Sequence, residues 1–340
     1  MKNVIFTTLA CFVSQVLFAQ QPDSSQYFFK RGVEESGLRH FAVAAKNFDK
    51  AIQLNSNFTE AYIANGKANL EMSRVYEATQ NFTKAYQLQP SNNDVIKELA
   101  TLYFNNRQYP KAIELVQKCK DCADADRILG MSYYNTEDYG KALTFLQKAI
   151  SKNNKDGQAV YTLGRTYLEL ENEKNAIPQF QKAIEIEPTR NAWMYELGLI
   201  YYNQNDFKNA LQYFNRAVDN GYNKTNDFYE NYGFAQVYTG DTENGIKTLN
   251  IVLERKPNNT ELLNNIAYAM YSTKRYENAI GYYEKLLTIN PKDAPSLFMA
   301  GMTFQKMGQK EKGQKICDKA IEMDPSLAKN RQKKDMPMGL

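Results

Sequence analysis

Small and large apolar side chains recur along this chain at a fixed interval. A column of small residues falls at Gly32, Gly66, Ala100, Gly130, Gly164, Gly198, Gly233, Ala267 and Gly301, spaced by 34, 34, 30, 34, 34, 35, 34 and 34 residues. Twelve positions after each stands Ala44, Ala78, Ala112, Ala142, Ala176, Ala210, Gly245, Ala279 or Gly313. Four further on come Phe48, Phe82, Val116, Leu146, Phe180, Phe214, Leu249, Tyr283 and Cys317. Three beyond those come Ala51, Ala85, Cys119, Ala149, Ala183, Ala217, Val252, Leu286 and Ala320.

Within one interval the spacing predicts two helices. Leu197, Gly198 and Tyr201 share one helical face, and Ala210, Phe214 and Ala217 share the next. Small residues on both faces let the two backbones approach, and the large residue fills the groove beside them. Polar turns such as Asn203-Gln204-Asn205-Asp206 separate the pair. Pro90, Pro188, Pro257, Pro291 and Pro325 close five of the units, because proline lacks the N–H that would continue a helix. A chain of 340 residues exceeds what one core can organise, so a stack of repeats is the expected architecture. The units run 25–58, 59–92, 93–122, 123–156, 157–190, 191–225, 226–259, 260–293 and 294–325, with a basic tail at 326–340 that would add a short capping helix.

Two units carry a recognisable motif almost whole. One reads Met194-x2-Leu197-Gly198-x2-Tyr201 followed by Ala210-x3-Phe214, and the other Val160-x2-Leu163-Gly164-x2-Tyr167 followed by Ala176-x3-Phe180 and Pro188. The chain resembles the tetratricopeptide repeat family over about residues 25 to 325. The resemblance implies an all-α, right-handed α-solenoid of nine helix-turn-helix units, with the first helix of each pair lining a concave groove. The first unit departs from the pattern at Arg31 and Ser56, and the seventh has Gln236 where tyrosine is usual. Terminal units of such stacks are commonly atypical because they cap the core.

Charge and composition narrow the function. Forty-two Lys and Arg oppose 38 Asp and Glu, a near balance that carries no nucleic-acid footprint. A single His, His40 in the first turn, leaves little material for metal sites or imidazole catalysis, and it reads as a surface residue. No phosphate loop, dinucleotide turn or nucleophile–base–orienter set is legible, so the expectation is a non-enzyme without cofactor or metal.

Met1-Lys2-Asn3, the apolar stretch to Phe18 and the small Ala19 read as a secretory signal peptide over 1–19. Cleavage would give a periplasmic protein beginning at Gln20. Cys11 does not sit in a lipidation motif, since Thr8 stands where Leu is wanted. Export leaves Cys119, Cys122 and Cys317. In an oxidising compartment Cys119 and Cys122 are expected to form a disulfide, where the third unit lacks four residues; two inert thiols are the alternative. Cys119 falls in the small-residue column and should be buried. Cys317, in the large-residue column, should be a buried thiol.

A second stripe runs beside the packing stripe on the first helices. From the fourth to the eighth unit it reads Arg127, Met131, Tyr134; Tyr161, Arg165, Leu168; Tyr195, Leu199, Tyr202; Glu230, Phe234, Val237; Asn264, Tyr268, Tyr271. Tyr and Arg dominate binding hot spots, so Arg127, Tyr134, Tyr161, Arg165, Tyr195, Tyr202, Tyr268 and Tyr271 are the candidate groove residues. Packing between repeats is the competing explanation for the same residues. The expected function is an interaction scaffold in the bacterial cell envelope, holding a peptide or protein segment within an assembly, secretion or motility machine, an outer-membrane-associated complex among them. The alternatives are a self-associating structural subunit and a carbohydrate or peptidoglycan binder.

Overall fold

The computed structural model describes residues 24–119, 122 and 124–330. The expected signal peptide at 1–19 and the last ten residues of the basic tail lie outside them. Among the described residues the chain is all helical: eighteen α-helices and one short 3-10 helix, with no strand.

The helices form nine consecutive pairs, divided between two compact units that meet at Asn154 and Lys155. The first unit holds α1 (Ser24–Gly37) with α2 (Phe41–Leu54), α3 (Thr59–Glu71) with α4 (Val75–Leu88), α5 (Asn93–Asn105) with α6 (Tyr109–Gln117), and α7 (Ala125–Asn135) with α8 (Tyr139–Lys152). The second holds α9 (Gly157–Glu169) with α10 (Glu173–Ile186), α11 (Asn191–Asn203) with α12 (Phe207–Asp219), α13 (Asn226–Tyr238) with α14 (Thr242–Arg255), α15 (Thr260–Ser272) with α16 (Tyr276–Ile289), and α17 (Ala294–Lys306) with α18 (Lys310–Met323). Within each unit a helix packs chiefly on its own partner and then on the next pair, the neighbour-only pattern of a solenoid.

The columns account for this packing. A Cβ added at Gly198 would lie 2.5 Å from the ring of Phe214, so only glycine lets α11 and α12 close on that ring. Phe48, Phe82, Phe180 and Phe214 are fully buried against such positions, and the alanine column from Ala44 to Ala279 has no exposed surface. Removing one such ring would cost about 3–5 kcal/mol.

One backbone device joins the helices of every pair. The residue seven beyond the small-residue column is left-handed in all nine: Arg39, Ser73, Arg107, Glu137, Glu171, Asn205 and Lys274, with Gly240 and Gly308 in the seventh and ninth. In eight of the pairs the N–H of this residue and of the next one bond back into the ending helix, as in Ser73 to Leu70 and Arg74 to Asn69, both at 2.8 Å; in the seventh the Gly240 N–H does so, to Val237. This is a Schellman closure, which satisfies the last carbonyls of the helix. The following residue often caps the second helix: Asp138, Asn172 and Asp206 each accept a backbone N–H of the next turn.

The third pair is the exception. Its second helix, α6, has nine residues where its counterparts have 13 or 14. The Sγ atoms of Cys119 and Cys122 are bonded to each other just beyond it. Cys119 is only part-buried, contrary to the expectation from its column, because α6 ends at Gln117 and no longer carries that position into the helix interface. Its Sγ lies 3.3 Å from the Asn93 side-chain oxygen, and Cys122 Sγ lies 3.7 Å from the Asn93 carbonyl. Cys317 is buried and outside any disulfide. His40 is exposed and hydrogen-bonded to Glu35 at 2.9 Å. Past α18, Pro325–Asn330 forms the 3-10 turn, with Leu327 buried against the stack.

Candidate functional site

The second unit carries most of the stripe. Tyr161 and Arg165 sit one turn apart on α9, and both reach α11. The Tyr161 hydroxyl donates to Glu196 Oε2 at 2.5 Å, and Arg165 Nε lies 3.4 Å from Glu196 Oε1. The Tyr161 ring stacks on Trp193, with centroids 4.6 Å apart and planes 11° from parallel, while its edge meets Phe180. Burial, and then the neighbouring Glu196 carboxylate, push the Tyr161 phenol well above its ordinary range. The Arg190 guanidinium lies 5.2 Å from the Trp193 ring centroid. Arg165 keeps 41% of its side chain exposed, so the Glu196 pair holds a cation that still faces solvent.

Further along, Tyr195 repeats the pattern with the next pair. Its ring stacks on Tyr222 at 4.5 Å, and its hydroxyl accepts from Asn231 Nδ2 at 3.1 Å. Tyr202 meets the edge of Phe207, which in turn stacks on Tyr238. Burial raises the phenols of Tyr195 and Tyr202. Tyr268 and Tyr271 are part-buried against the large core of α13 to α18, and Tyr271 meets the edge of Tyr276. Between these tyrosines stands Glu230. Its carboxyl is held above its ordinary range by burial, and further by Asp227 and Glu261.

In the first unit, Arg127 and Tyr134 are part-buried on α7, and the Tyr134 ring is tilted against Tyr139 at 5.9 Å. Three other members of the stripe, Met131, Phe234 and Val237, are buried and belong to the core. Of the eight candidates, Tyr161 and Arg165 are brought together, through Glu196. Tyr195 and Tyr202 are each tied instead to the pair that follows. Trp193 and Glu196, which organise this site, were not among the expected residues. Trp193 is the only tryptophan in the chain, a signal that could have been weighed. Among the described residues no group of three His, Cys, Asp or Glu side chains could hold a metal ion.

Two family models match the chain, both described as tetratricopeptide repeat. One covers residues 161–223 and 235–294, the other 128–156 and 294–327, together more than half the chain. The chain is a tetratricopeptide repeat protein. Among curated proteins, the tetratricopeptide chain is 31% identical over 85 residues to RNA polymerase II-associated protein 3 of Homo sapiens. The identity is the same for that protein of Rattus norvegicus. The match takes in 24% of this chain and only 13% of the length of those relatives. Among solved structures, YrrB, described as a TPR protein with an unusual peptide-binding site, is 23% identical with a TM-score of 0.45, over 52% of this chain and 93% of that one. MamA from Desulfovibrio magneticus RS-1 is 19% identical with a TM-score of 0.45, over 49% of this chain and 97% of that one. The TPR domain of P58(IPK) covers 91% of this chain and 99% of its own, at 13% identity and a TM-score of 0.32.

Proposed function

We propose that this tetratricopeptide repeat protein is a non-enzymatic scaffold of the bacterial cell envelope that holds an extended segment of a partner protein along the first helices of its second unit. The observation that carries this reading is the run of part-buried tyrosines, Tyr161, Tyr195, Tyr202, Tyr268 and Tyr271, with the half-exposed Arg165 near one end and the carboxyls of Asp227, Glu230 and Glu261 among the later ones. Tyrosine offers rigid contact area with a polar tip, at low entropic cost on binding. A carboxylate of the partner would meet Arg165, and a basic side chain would relieve the crowded acids at Glu230. The envelope location rests on the leader-like sequence of residues 1–19.

The test is a pull-down from envelope extracts, followed by titration of the captured partner with Tyr202→Ala and Tyr268→Ala. Each truncation should cost about 1–2 kcal/mol of affinity, as interface aromatics do. Unchanged affinity with a lowered thermal midpoint would assign both residues to packing between repeats.

A further inference from the structure

The column three residues after each small residue shows how the grooves between second helices are filled. In the fourth pair it is Tyr133, whose ring stacks on Phe145 of α8 at 5.7 Å and whose hydroxyl accepts from Gln117 of α6 at 3.0 Å. Lys141 lies 5.0 Å from the centre of the same ring. In the sixth pair it is Tyr201, stacked on Tyr213 of α12 at 5.6 Å and accepting from Gln181 of α10 at 3.1 Å. In both places one ring occupies the space between successive second helices, and an amide of the earlier helix reads its phenol.

The second pair lacks the ring. Its residue in that column is Asn69, buried, with its amide donating to Asn65 at 3.0 Å. Asn65 in turn donates to Asp49 at 2.6 Å. Where the tyrosine would lie, a cavity of about 560 Å³ opens between α2 and α4. The positions that hold the ring elsewhere all line it. Asp49 corresponds to Gln117 and Gln181, Asn81 to Phe145 and Tyr213, and Glu77 to Lys141. Tyr62, Ala42 and Ala45 supply apolar wall.

Charge at the rim says what accompanies the missing ring. Lys46, Arg74 and Lys84 border the cavity, and none of their side chains has an ion pair or hydrogen bond among the described residues. A second, shallower hollow of about 340 Å³ shares Gln80 and Lys84 with the first and is lined also by Tyr76, which is 71% exposed. The three cations outnumber Asp49 and Glu77, the two carboxylates that also line the cavity, and this surplus favours an acidic partner through charge complementarity.

We propose that this slot binds a tyrosine side chain from an acidic, extended protein segment. The ring takes the place that Tyr133 and Tyr201 hold in their own repeats. Its hydroxyl donates to the Asp49 carboxylate, where those phenols accept from a glutamine. The flanking carboxylates of the segment meet Lys46, Arg74 and Lys84. This site is separate from the tyrosine stripe of the second unit and does not depend on it.

The experiment uses the full chain and a synthetic peptide, acetyl-Asp-Glu-Tyr-Glu-Asp-amide, with the central tyrosine replaced by alanine as its control. The tyrosine peptide should bind at least about tenfold more tightly than the alanine peptide, the discrimination that one well-seated anchor gives. Asn69→Tyr refills the slot with the chain's own ring. It should lower affinity for the tyrosine peptide at least about tenfold while raising the thermal midpoint. Asn81→Phe narrows the same slot from the α4 side and should also weaken binding, which keeps the test decisive if Asn69→Tyr folds poorly. The double reversal Arg74→Glu and Lys84→Glu, the first at an exposed and the second at a part-buried position, should abolish the preference for acidic flanks. Equal binding of the two peptides, undiminished binding by both slot-filling variants, or no binding at millimolar peptide would overturn the proposal.

Discussion

The third and sixth repeats share one set of columns and are held by different means. In the sixth, Gly198 admits the ring of Phe214, Tyr201 stacks on Tyr213 within the pair, and aromatic contacts join α11 and α12 to the pairs on either side: Trp193 to Tyr161, Tyr195 to Phe228 and Phe207 to Tyr238. In the third, Ala100 and Val116 stand at the corresponding positions, both buried, α6 stops after nine residues, and the bond between Cys119 and Cys122 closes the chain where another turn of helix would have packed. Buried ring area stabilises the folded state directly. A cross-link acts largely by restricting the unfolded chain, and does so weakly when its loop is short. Shortening a repeat therefore exchanges a strong local term for a weak one, and the third repeat is expected to open before the sixth.

The largest expected effect is on the ring itself. Phe214→Ala should lower stability by about 3–5 kcal/mol, whereas Val116→Ala, which removes far less volume, should cost clearly less. Denaturant titration of the two variants reads the difference. Equal losses would mean that the third repeat is packed as tightly as the sixth.

Alkaline titration separates the regions without mutation. The phenols of Tyr161, Tyr195, Tyr201 and Tyr202 are raised above the ordinary tyrosine value, with burial the first cause in each. A group raised on folding contributes stability that is complete below its unfolded value, near pH 10, and is lost as pH rises toward the folded one. The fifth and sixth repeats should thus loosen above about pH 10, with tyrosinate absorbance rising together with loss of helix by circular dichroism. Tyrosinate appearing at full helicity would show that these rings are freely accessible.

The bond at Cys119 and Cys122 carries a smaller expectation. The loop it closes is so short that reduction should destabilise by no more than about 1 kcal/mol, the low end for disulfides. Amide exchange under reducing conditions should accelerate in α6 before it does in α11. Intact mass of the native protein should be two protons below that of the reduced chain. Three alkylatable thiols in native protein would remove the cross-link from the comparison.

Much of this was legible from spacing alone. The columns place every helix pair, the short third repeat and the burial of Phe214, because intra-pair packing depends on residues close in sequence. Contacts across pairs were harder. Tyr161 and Arg165 could be picked as stripe residues, yet their shared partner Glu196 lies a whole repeat away, and only the stacking of α9 on α11 brings it near. Cys119 was misjudged for a related reason: its column implies burial only if the helix runs that far, and α6 does not. Asn69 could have been found by reading the tyrosine column to its exceptions, as Gln236 was.

The left-handed turn gives the molecule an addressable adjustment. Six of the nine turns hold a residue other than Gly or Asn in a backbone conformation that those two tolerate best. Changing Arg39, Ser73, Arg107, Glu137, Glu171 or Lys274 to Asn relieves local strain without adding the freedom that glycine brings to the unfolded chain. Each change should be worth about 0.5 kcal/mol, a fraction of the left-handed penalty. Turns in separate pairs share no side-chain partners, so the increments should add. A series of such edits would make the repeats individually gradable, and slowed amide exchange confined to the edited pair and its neighbours would show where cooperativity along the chain begins and ends.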